Sequence, residues 1–233
     1  GSWVNEKSLA NEILGHVRSL GLRFKLDRLT RGEGNCFMIS VMQQLKRPEV
    51  FQSHPPHIQR LANSMDHLQL RVNVKHYIDS VSDHEAVQRM KMLLPVNNSA
   101  PQRPVTWESY WSAILKPGVW ADTFFIRATA WYLRNDIKLF STSNDKKSPY
   151  TRISGNIDDE EVPLRPHDLT IGTKTEIHFQ SLLLESDDSD EDEDFQPVKP
   201  KLRKVEAPKK EIKTDSSDLK CPVCFKDIKH LLR

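Results

Sequence analysis

The spacing of hydrophobic residues predicts helices over most of the N-terminal half of the chain. In five stretches, apolar side chains recur every three or four positions, which is the period of one face of an α-helix. The stretches cover residues 9–20, 36–45, 56–68, 83–93 and 107–115, and the third pattern extends towards Tyr77. The next segment, residues 122–133, is apolar on nearly all sides, as is typical of a helix buried between neighbours.

Two short segments rich in β-forming residues follow these helices. Residues 137–140 come directly after an Asn-Asp turn, and residues 176–183 contain alternating bulky and polar side chains. A few strands combined with many helices predict a mixed fold of the α/β (α+β) class. We expect a small β-sheet between helical subdomains.

The composition changes abruptly after the last predicted strand. Residues 185–219 form an acidic run followed by a stretch rich in proline and lysine, which predicts a disordered linker. Residues 220–233 begin with two closely spaced cysteines and are interpreted as the incomplete start of a zinc finger. Residues 1–2, Gly-Ser, are interpreted as a remnant of recombinant expression. The predicted globular domain therefore spans residues 3–184.

Charge and hydropathy exclude several functional classes. A net charge of +2 gives the chain no general attraction for nucleic acid or anionic membranes. The sequence contains no uninterrupted apolar run of 18 or more residues, so we expect no membrane partner. Three cysteines are too few for a disulfide scaffold and favour a reducing compartment. We expect a monomeric domain in the cytoplasm, with nuclear entry as an alternative because of the basic run at residues 199–204.

Cys36 has the sequence setting of a reactive thiol. It follows a Gly-Glu-Gly-Asn turn at residues 32–35 and stands at the start of a predicted helix. A helix N-terminus favours a thiolate, so we expect a lowered pKa for the Cys36 thiol. Free backbone N–H groups at such a turn can also bind an oxyanion. A buried structural cysteine fits the same pattern, and the turn alone leaves both interpretations open.

A nucleophilic cysteine needs a histidine that is close to it in space. Five of the nine histidines lie in the polar helical stretch, where an exposed position is expected: His54, His57, His67, His76 and His84. His178 differs because it lies within the last predicted strand, between Ile177 and Phe179, where it would be held rigidly. A structural role for His178 is the alternative on this pattern alone.

Three blocks of residues occur in order along the chain. They are Gly-Glu-Gly-Asn-Cys-Phe at 32–37, Gly-Val-Trp-Ala-Asp at 118–122, and Ile-His-Phe-Gln-Ser-Leu at 177–182. Together they resemble the D-G-N-C, G-x-W-G and I-H-Y-N-S-L signatures of the ovarian tumour (OTU) family of deubiquitinating cysteine proteases.

The resemblance implies a papain-like cysteine protease that hydrolyses bonds at the C-terminal glycine of ubiquitin or polyubiquitin, with a ubiquitin-like modifier as an alternative substrate. It also implies that Cys36 is the nucleophile and His178 the general base. Gly34 and Asn35 belong to the implied oxyanion loop, which runs from Glu33 to Cys36. Gln180 stands where the family usually has an Asn or Asp that orients the histidine. No cofactor is implied for catalysis.

This sequence departs from the family pattern at three positions. Glu33 replaces an aspartate and adds a methylene to a tight turn, and Ala121 replaces a glycine. Gln180 is uncharged, so it would stabilise an imidazolium less than a carboxylate does. Asp27 is an alternative source of that carboxylate. These departures leave open a second interpretation, an inactive OTU-like module that binds ubiquitin without cleaving it.

The end of the sequence carries candidate metal ligands. Cys221 and Cys224 have the spacing of a zinc knuckle, and His230 is a third candidate. A structural zinc site needs four ligands, so we expect a complete site only in a longer chain. Together with the basic linker, such a finger leaves a third interpretation, a nucleic-acid-binding adaptor.

Overall fold

The computed structural model describes residues 2–30, 34–94, 106–174 and 178–185. The helices within these ranges are α1 Ser2–Ser19, α2 Cys36–Leu45, α3 Pro48–Ser53, α4 Pro56–Ser64, α5 His67–Ser80, α6 Glu85–Met92, α7 Trp107–Ile114 and α8 Thr123–Leu133. The strands are β1 Phe24–Leu26, β2 Ile137–Ser141, β3 Thr151–Ile153, β4 Leu169–Lys174 and β5 His178–Leu184. The predicted linker and zinc-finger start lie outside the described residues, apart from Glu185.

The strands form one mixed sheet in the order β1-β5-β4-β2-β3. β2 and β4 are parallel, whereas the other neighbouring pairs are antiparallel. β5 therefore lies inside the sheet, between β1 and β4. A side chain on β5 is held by hydrogen-bonded strands on both sides, which makes it a rigid position for a functional group.

Hydrophobic cores form on both faces of the sheet. Ile13 and Val17 of α1 pack with Phe24, Phe140 and Leu182 on one face. The larger core, on the other face, joins α2 and the remaining helices to the sheet; its largest side chains include Trp111, Trp131, Phe37, Phe125 and Phe179. Because side chains alternate along a strand, residues 178, 180 and 182 of β5 share the face that α1 covers.

The predicted helix over residues 56–68, with its extension through Tyr77, is two helices. Met65 has a left-handed backbone with φ 53°, which ends α4. The Asp66 side chain then accepts hydrogen bonds from the N–H groups of Leu68 and Gln69 and caps the start of α5. The apolar period continues across this break, so periodicity alone did not reveal it.

The other predicted segments appear in the structure. α8 buries residues on nearly all of its sides, as its sequence indicates, and Asp122 caps its start by accepting a hydrogen bond from Phe125 N–H at 2.8 Å. In the described ranges, no helix is long and apolar enough to cross a membrane.

Candidate active site

Cys36 is the first residue of α2. The cap residue Asn35 makes no side-chain hydrogen bond to the helix, so it leaves the backbone N–H groups of the first turn uncapped. The thiol is 2% exposed, and the backbone of Phe179, the second residue of β5, is close enough to lower its pKa. The start of α2 and the start of β5 are therefore in direct contact.

His178 is the first residue of β5 and is 1% exposed. It is the chain neighbour of Phe179, whose backbone contacts the Cys36 thiol. The side chain of Gln180 is near His178 and raises the pKa of its imidazole. His178 Nε2 is buried and has no hydrogen-bond partner among the described residues. Within the described part of the chain, no residue therefore forms a hydrogen bond with this nitrogen of the imidazole.

Gln44 ties the helix of Cys36 to the strand of His178. Its Nε2 donates to Ser181 Oγ and to the Leu182 carbonyl, each at 2.8 Å. Its Oε1 accepts from the N–H of Thr170 at 2.9 Å. The Gln44 side chain is fully buried, and these bonds satisfy its amide on both sides. The rings of Phe37 and Phe179 also pack edge to face, with their centroids 5.3 Å apart. The hydrogen bonds of Gln44 and this ring contact fix the position of α2 relative to β5.

Gln180 joins β5 to the segment that leads to the Gly-Glu-Gly-Asn turn. Its Oε1 accepts from Thr30 N–H at 3.1 Å, and its Nε2 donates to the Arg28 carbonyl at 2.6 Å. The side chain is fully buried. Asp27, the alternative carboxylate, accepts a hydrogen bond from Ser181 Oγ at 3.0 Å, so its described hydrogen bond goes to Ser181 and not to His178.

The segment before Cys36 docks on the second sequence block. Gly34 has φ +76°, and a Cβ added there would lie 1.9 Å from the Gly118 carbonyl oxygen. Asn35 Oδ1 accepts a hydrogen bond from Gly118 N–H at 3.1 Å. A glycine is therefore required at position 34 both by its backbone conformation and by the close approach of the other loop. Glu33 lies outside the described residues.

The expected lowering of the Cys36 pKa is wrong in this structure. Burial raises the pKa of the Cys36 thiol above its ordinary value, and this effect exceeds the opposing one of the backbone hydrogen bonds from Phe179, Phe37 and Cys36 itself. Burial also lowers the pKa of His178, against the raising effects of Glu6 and Gln180. Both shifts favour a neutral thiol and a neutral imidazole over an ion pair.

Glu6 is a site residue that the sequence motifs did not reveal. It lies on α1, is 7% exposed, and interacts electrostatically with both Cys36 and His178. Its position has a weak sequence signal, because Glu6, Ala10, Ile13 and Val17 are spaced at one helical turn and the last three are core residues. Glu6 therefore extends the buried stripe of α1 towards the site.

The other candidate residues are not at this site. His54 is 4% exposed and hydrogen-bonds through Nε2 to Asn135 at 2.9 Å, so its predicted surface position is wrong. No group of three or more potential metal ligands occurs in residues 2–30, 34–94, 106–174 and 178–185. Cys221, Cys224 and His230 lie outside these ranges.

Comparison with known proteins gives one family match. Residues 31–167, more than half of the chain, match a family model described as OTU-like cysteine protease. This match includes Cys36 and ends before β5. No protein with curated annotation shows significant sequence similarity to this chain.

Solved structures give similarities at low sequence identity. The OTU domain of OTUD1 is 18% identical with a TM-score of 0.48, covering 78% of this chain and 99% of that chain. The Hazara virus OTU, solved bound to ubiquitin, is 17% identical with a TM-score of 0.38, covering 70% of this chain and 82% of that chain. OTUB1, in a structure with ubiquitin aldehyde and UBCH5B~Ub, is 9% identical with a TM-score of 0.49, covering 76% of this chain and 83% of that chain.

A small mixed sheet with helices on both faces, a cysteine at a helix start and the match over residues 31–167 lead to one conclusion: the chain belongs to the family of OTU-like cysteine proteases.

Proposed function

We propose that this protein is a deubiquitinase, a thiol hydrolase of isopeptide or peptide bonds at the C-terminal glycine of ubiquitin. The observation that carries the proposal is the packing of α2 against β5, which brings the backbone of Phe179 close enough to the Cys36 thiol to lower its pKa. Membership of the OTU-like cysteine proteases supports the reaction class, and the resemblance of the three sequence blocks supports ubiquitin as the substrate.

In the proposed mechanism, His178 takes the proton of Cys36 and the sulfur attacks the carbonyl carbon of the last ubiquitin residue. The backbone N–H groups of Gly34, Asn35 and Cys36 donate hydrogen bonds to the carbonyl oxygen as it becomes negatively charged. The imidazolium then gives its proton to the leaving lysine amine, and a thioester remains on the sulfur. His178 next removes a proton from water, whose oxygen attacks the thioester carbon. The C–S bond then breaks, the imidazolium returns the proton to the Cys36 sulfur, and the ubiquitin carboxylate is released.

Two features of the site support these roles, and a third sets a condition for substrate entry. Gln180 is near His178 and is hydrogen-bonded to the backbone of Arg28 and Thr30, so it can orient the imidazole while it holds the loop. His178 Nε2 has no bond to other described residues and is thus available to the thiol proton. Both reacting groups are almost fully buried, so substrate entry must include a change in conformation that exposes the sulfur.

A second candidate function follows from the same burial. The raised pKa of Cys36 and the lowered pKa of His178 favour a neutral thiol and imidazole, which react more slowly than a thiolate, so a module that binds ubiquitin without cleaving it is the alternative. The two functions differ in one respect that is easily measured. A hydrolase releases monoubiquitin from a dimer, whereas a binding module leaves the dimer intact.

The test is cleavage of a panel of ubiquitin dimers of different linkage by the full chain. The wild type should cleave at least one linkage, and Cys36→Ala should lower the rate by at least about 10³-fold. The matched control is the double variant Cys221→Ala/Cys224→Ala, which removes the other two cysteines of the chain and should retain the wild-type rate. Intact dimers of every linkage, or equal cleavage by Cys36→Ala, would refute the proposal.

A further inference from the structure

Arg71 of α5 is a fully buried cation beside the candidate active site. Its side chain has no measurable exposure, and none of the ion pairs formed among the described residues involves it. Burial lowers the pKa of Arg71 to about 10, so the group remains charged at neutral pH. A buried charge without a carboxylate partner is unfavourable unless other groups compensate for it.

Hydrogen bonds supply part of this compensation, and they join two loops. Arg71 Nη2 donates to the Gly34 carbonyl at 3.2 Å and to Asn35 Oδ1 at 3.3 Å. The same nitrogen donates to the Val119 carbonyl, and Nη1 donates to the Ile114 carbonyl at 2.5 Å. One planar guanidinium thus holds the segment directly before Cys36 against the segment that follows α7.

The neighbours of Arg71 indicate where a compensating negative charge can form. Its electrostatic partners among titratable groups are Tyr110, Cys36 and His67. Burial and the neighbouring Asp122 raise the pKa of Tyr110, so its phenol stays neutral. Cys36 is therefore the partner that can become an anion. The Arg71 guanidinium is hydrogen-bonded to Gly34 and Asn35, directly before Cys36, and a nearby cation favours a thiolate. The Glu6 carboxylate acts in the opposite direction on Cys36, and His178 is a further titratable group at this site.

We infer that Arg71 is a positioning residue with two separable effects: its forked hydrogen bonds hold Gly34 and Asn35 in the conformation of the oxyanion loop, and its positive charge stabilises the Cys36 thiolate. The first effect rests on the proposed hydrolase function. The second is a property of the thiol and is measurable in the absence of any substrate.

Two substitutions separate these effects in the full chain. Arg71→Lys keeps the charge but cannot make the fork of hydrogen bonds, whereas Arg71→Met has similar length and removes both. The control is Arg165→Met, which removes another partly buried arginine that donates to the carbonyls of Leu133 and Ser53. The readouts are kcat and KM for a cleaved ubiquitin dimer, and the rate of iodoacetamide alkylation of Cys36 against pH, measured by mass spectrometry of its peptide. Thermal unfolding establishes that each variant is folded.

We expect Arg71→Met to alkylate at least about 10-fold more slowly than the wild type at pH 7, because its thiolate loses the nearby cation. Arg71→Lys should alkylate within about 3-fold of the wild type, yet its kcat should fall at least about 10-fold with little change in KM, because the loop is no longer held. Arg165→Met should match the wild type in both assays. If Arg71→Met does not fold, Asn35→Ala is used instead, because it removes the Asn35 Oδ1 atom that accepts a hydrogen bond from Arg71. We expect this variant to lower kcat about 10-fold without changing the alkylation rate of Cys36.

Unchanged alkylation in a folded Arg71→Met would overturn the electrostatic effect. A wild-type kcat in Arg71→Lys, or in Asn35→Ala where it replaces Arg71→Met, would overturn the loop effect. If the wild type cleaves no ubiquitin dimer, the proposed function fails, and the alkylation rates alone then decide the inference about Arg71. Should Arg71→Met also be unfolded, Arg71→Gln takes its place as the variant that removes the charge: slower alkylation supports the electrostatic effect, and unchanged alkylation overturns it.

Discussion

The close packing of Gly34 on Gly118 makes a sharp prediction for Gly34→Ala. The new Cβ would lie 1.9 Å from the Gly118 carbonyl oxygen and 2.3 Å from its carbonyl carbon, whereas ordinary contact begins at 3.4 Å. Both obstacles are backbone atoms, so a change of side-chain rotamer cannot relieve the overlap. The loops must move apart by about 1.5 Å, the difference between the observed and the ordinary distance.

The expected cost has three physical sources. An alanine at φ +76° costs about 1 kcal/mol in left-handed strain. Forced separation of packed segments costs about 1–3 kcal/mol. The hydrogen bond from Gly118 N–H to Asn35 Oδ1 contributes about 1 kcal/mol more when it is lost. We therefore expect Gly34→Ala to lower the free energy of unfolding by about 3–5 kcal/mol.

Gly21→Ala is the matched control. Gly21 has a similar left-handed backbone, with φ +86°, but no atom lies within 4 Å of an added Cβ. This variant carries the strain without the overlap and should cost about 1 kcal/mol. Urea unfolding measures both variants, and cleavage of a ubiquitin dimer should fall at least about 100-fold in Gly34→Ala alone. If the free energies of unfolding of the two variants differ by less than about 0.5 kcal/mol, near the limit of additivity, and both variants cleave the dimer, the predicted overlap at Gly34 is wrong.

Three further predictions concern buried polar groups. Glu6→Gln should speed alkylation of Cys36 at neutral pH, because the carboxylate raises the pKa of that thiol after the larger effect of burial; a slower reaction contradicts this. Burial holds the pKa of His54 at about 4 against an ordinary 6.5, so protonation of the unfolded chain should cost about 2 kcal/mol of stability between pH 7 and pH 5. Between pH 7 and pH 5, the free energy of unfolding of His54→Gln in urea should fall by about 2 kcal/mol less than that of the wild type. An equal fall in both proteins would contradict this prediction. Gln180→Ala should lower kcat about 10-fold or more, because the imidazole loses its neighbouring amide and the loop loses two hydrogen bonds, and an unchanged kcat excludes this role.

Local sequence patterns were sufficient for the parts of the fold that depend on local interactions. The glycine-rich turn and the apolar period after it predicted a helix start at Cys36, and α2 begins there. The continuous apolar pattern of residues 122–133 predicted a helix buried on nearly all sides, as observed for α8. The three-residue strands β1 and β3 were not predicted, because three residues are too few to establish an alternating pattern.

The charge state of the site depended on burial, which local sequence does not report. A helix N-terminus lowers the pKa of a thiol, and this expectation for Cys36 was physically sound. The thiol, however, is 2% exposed, and the effect of desolvation exceeds that of the backbone hydrogen bonds. Only the packing of elements distant in sequence determines which effect is larger.

The charged groups that surround the site were missed for a related reason. Arg71 lies on α5 among polar residues, where a solvent-exposed charge is the ordinary expectation, and Glu6 lies thirty positions before Cys36. Both become neighbours of Cys36 only when α5 and α1 pack against α2 and β5. A sequence motif describes the residues that react, but it does not describe the charges that folding brings to them.

Reaction of the full chain with ubiquitin that carries an electrophile at its C-terminus tests directly whether Cys36 is the nucleophile of a deubiquitinase. We expect a single covalent adduct, located on Cys36 by mass spectrometry of the digested product. The adduct should be absent in Cys36→Ala and should form at least about 10-fold more slowly in His178→Ala, which lacks the base. A wild-type chain that binds this ubiquitin without forming an adduct, or an adduct that persists in Cys36→Ala, would exclude Cys36 as the nucleophile.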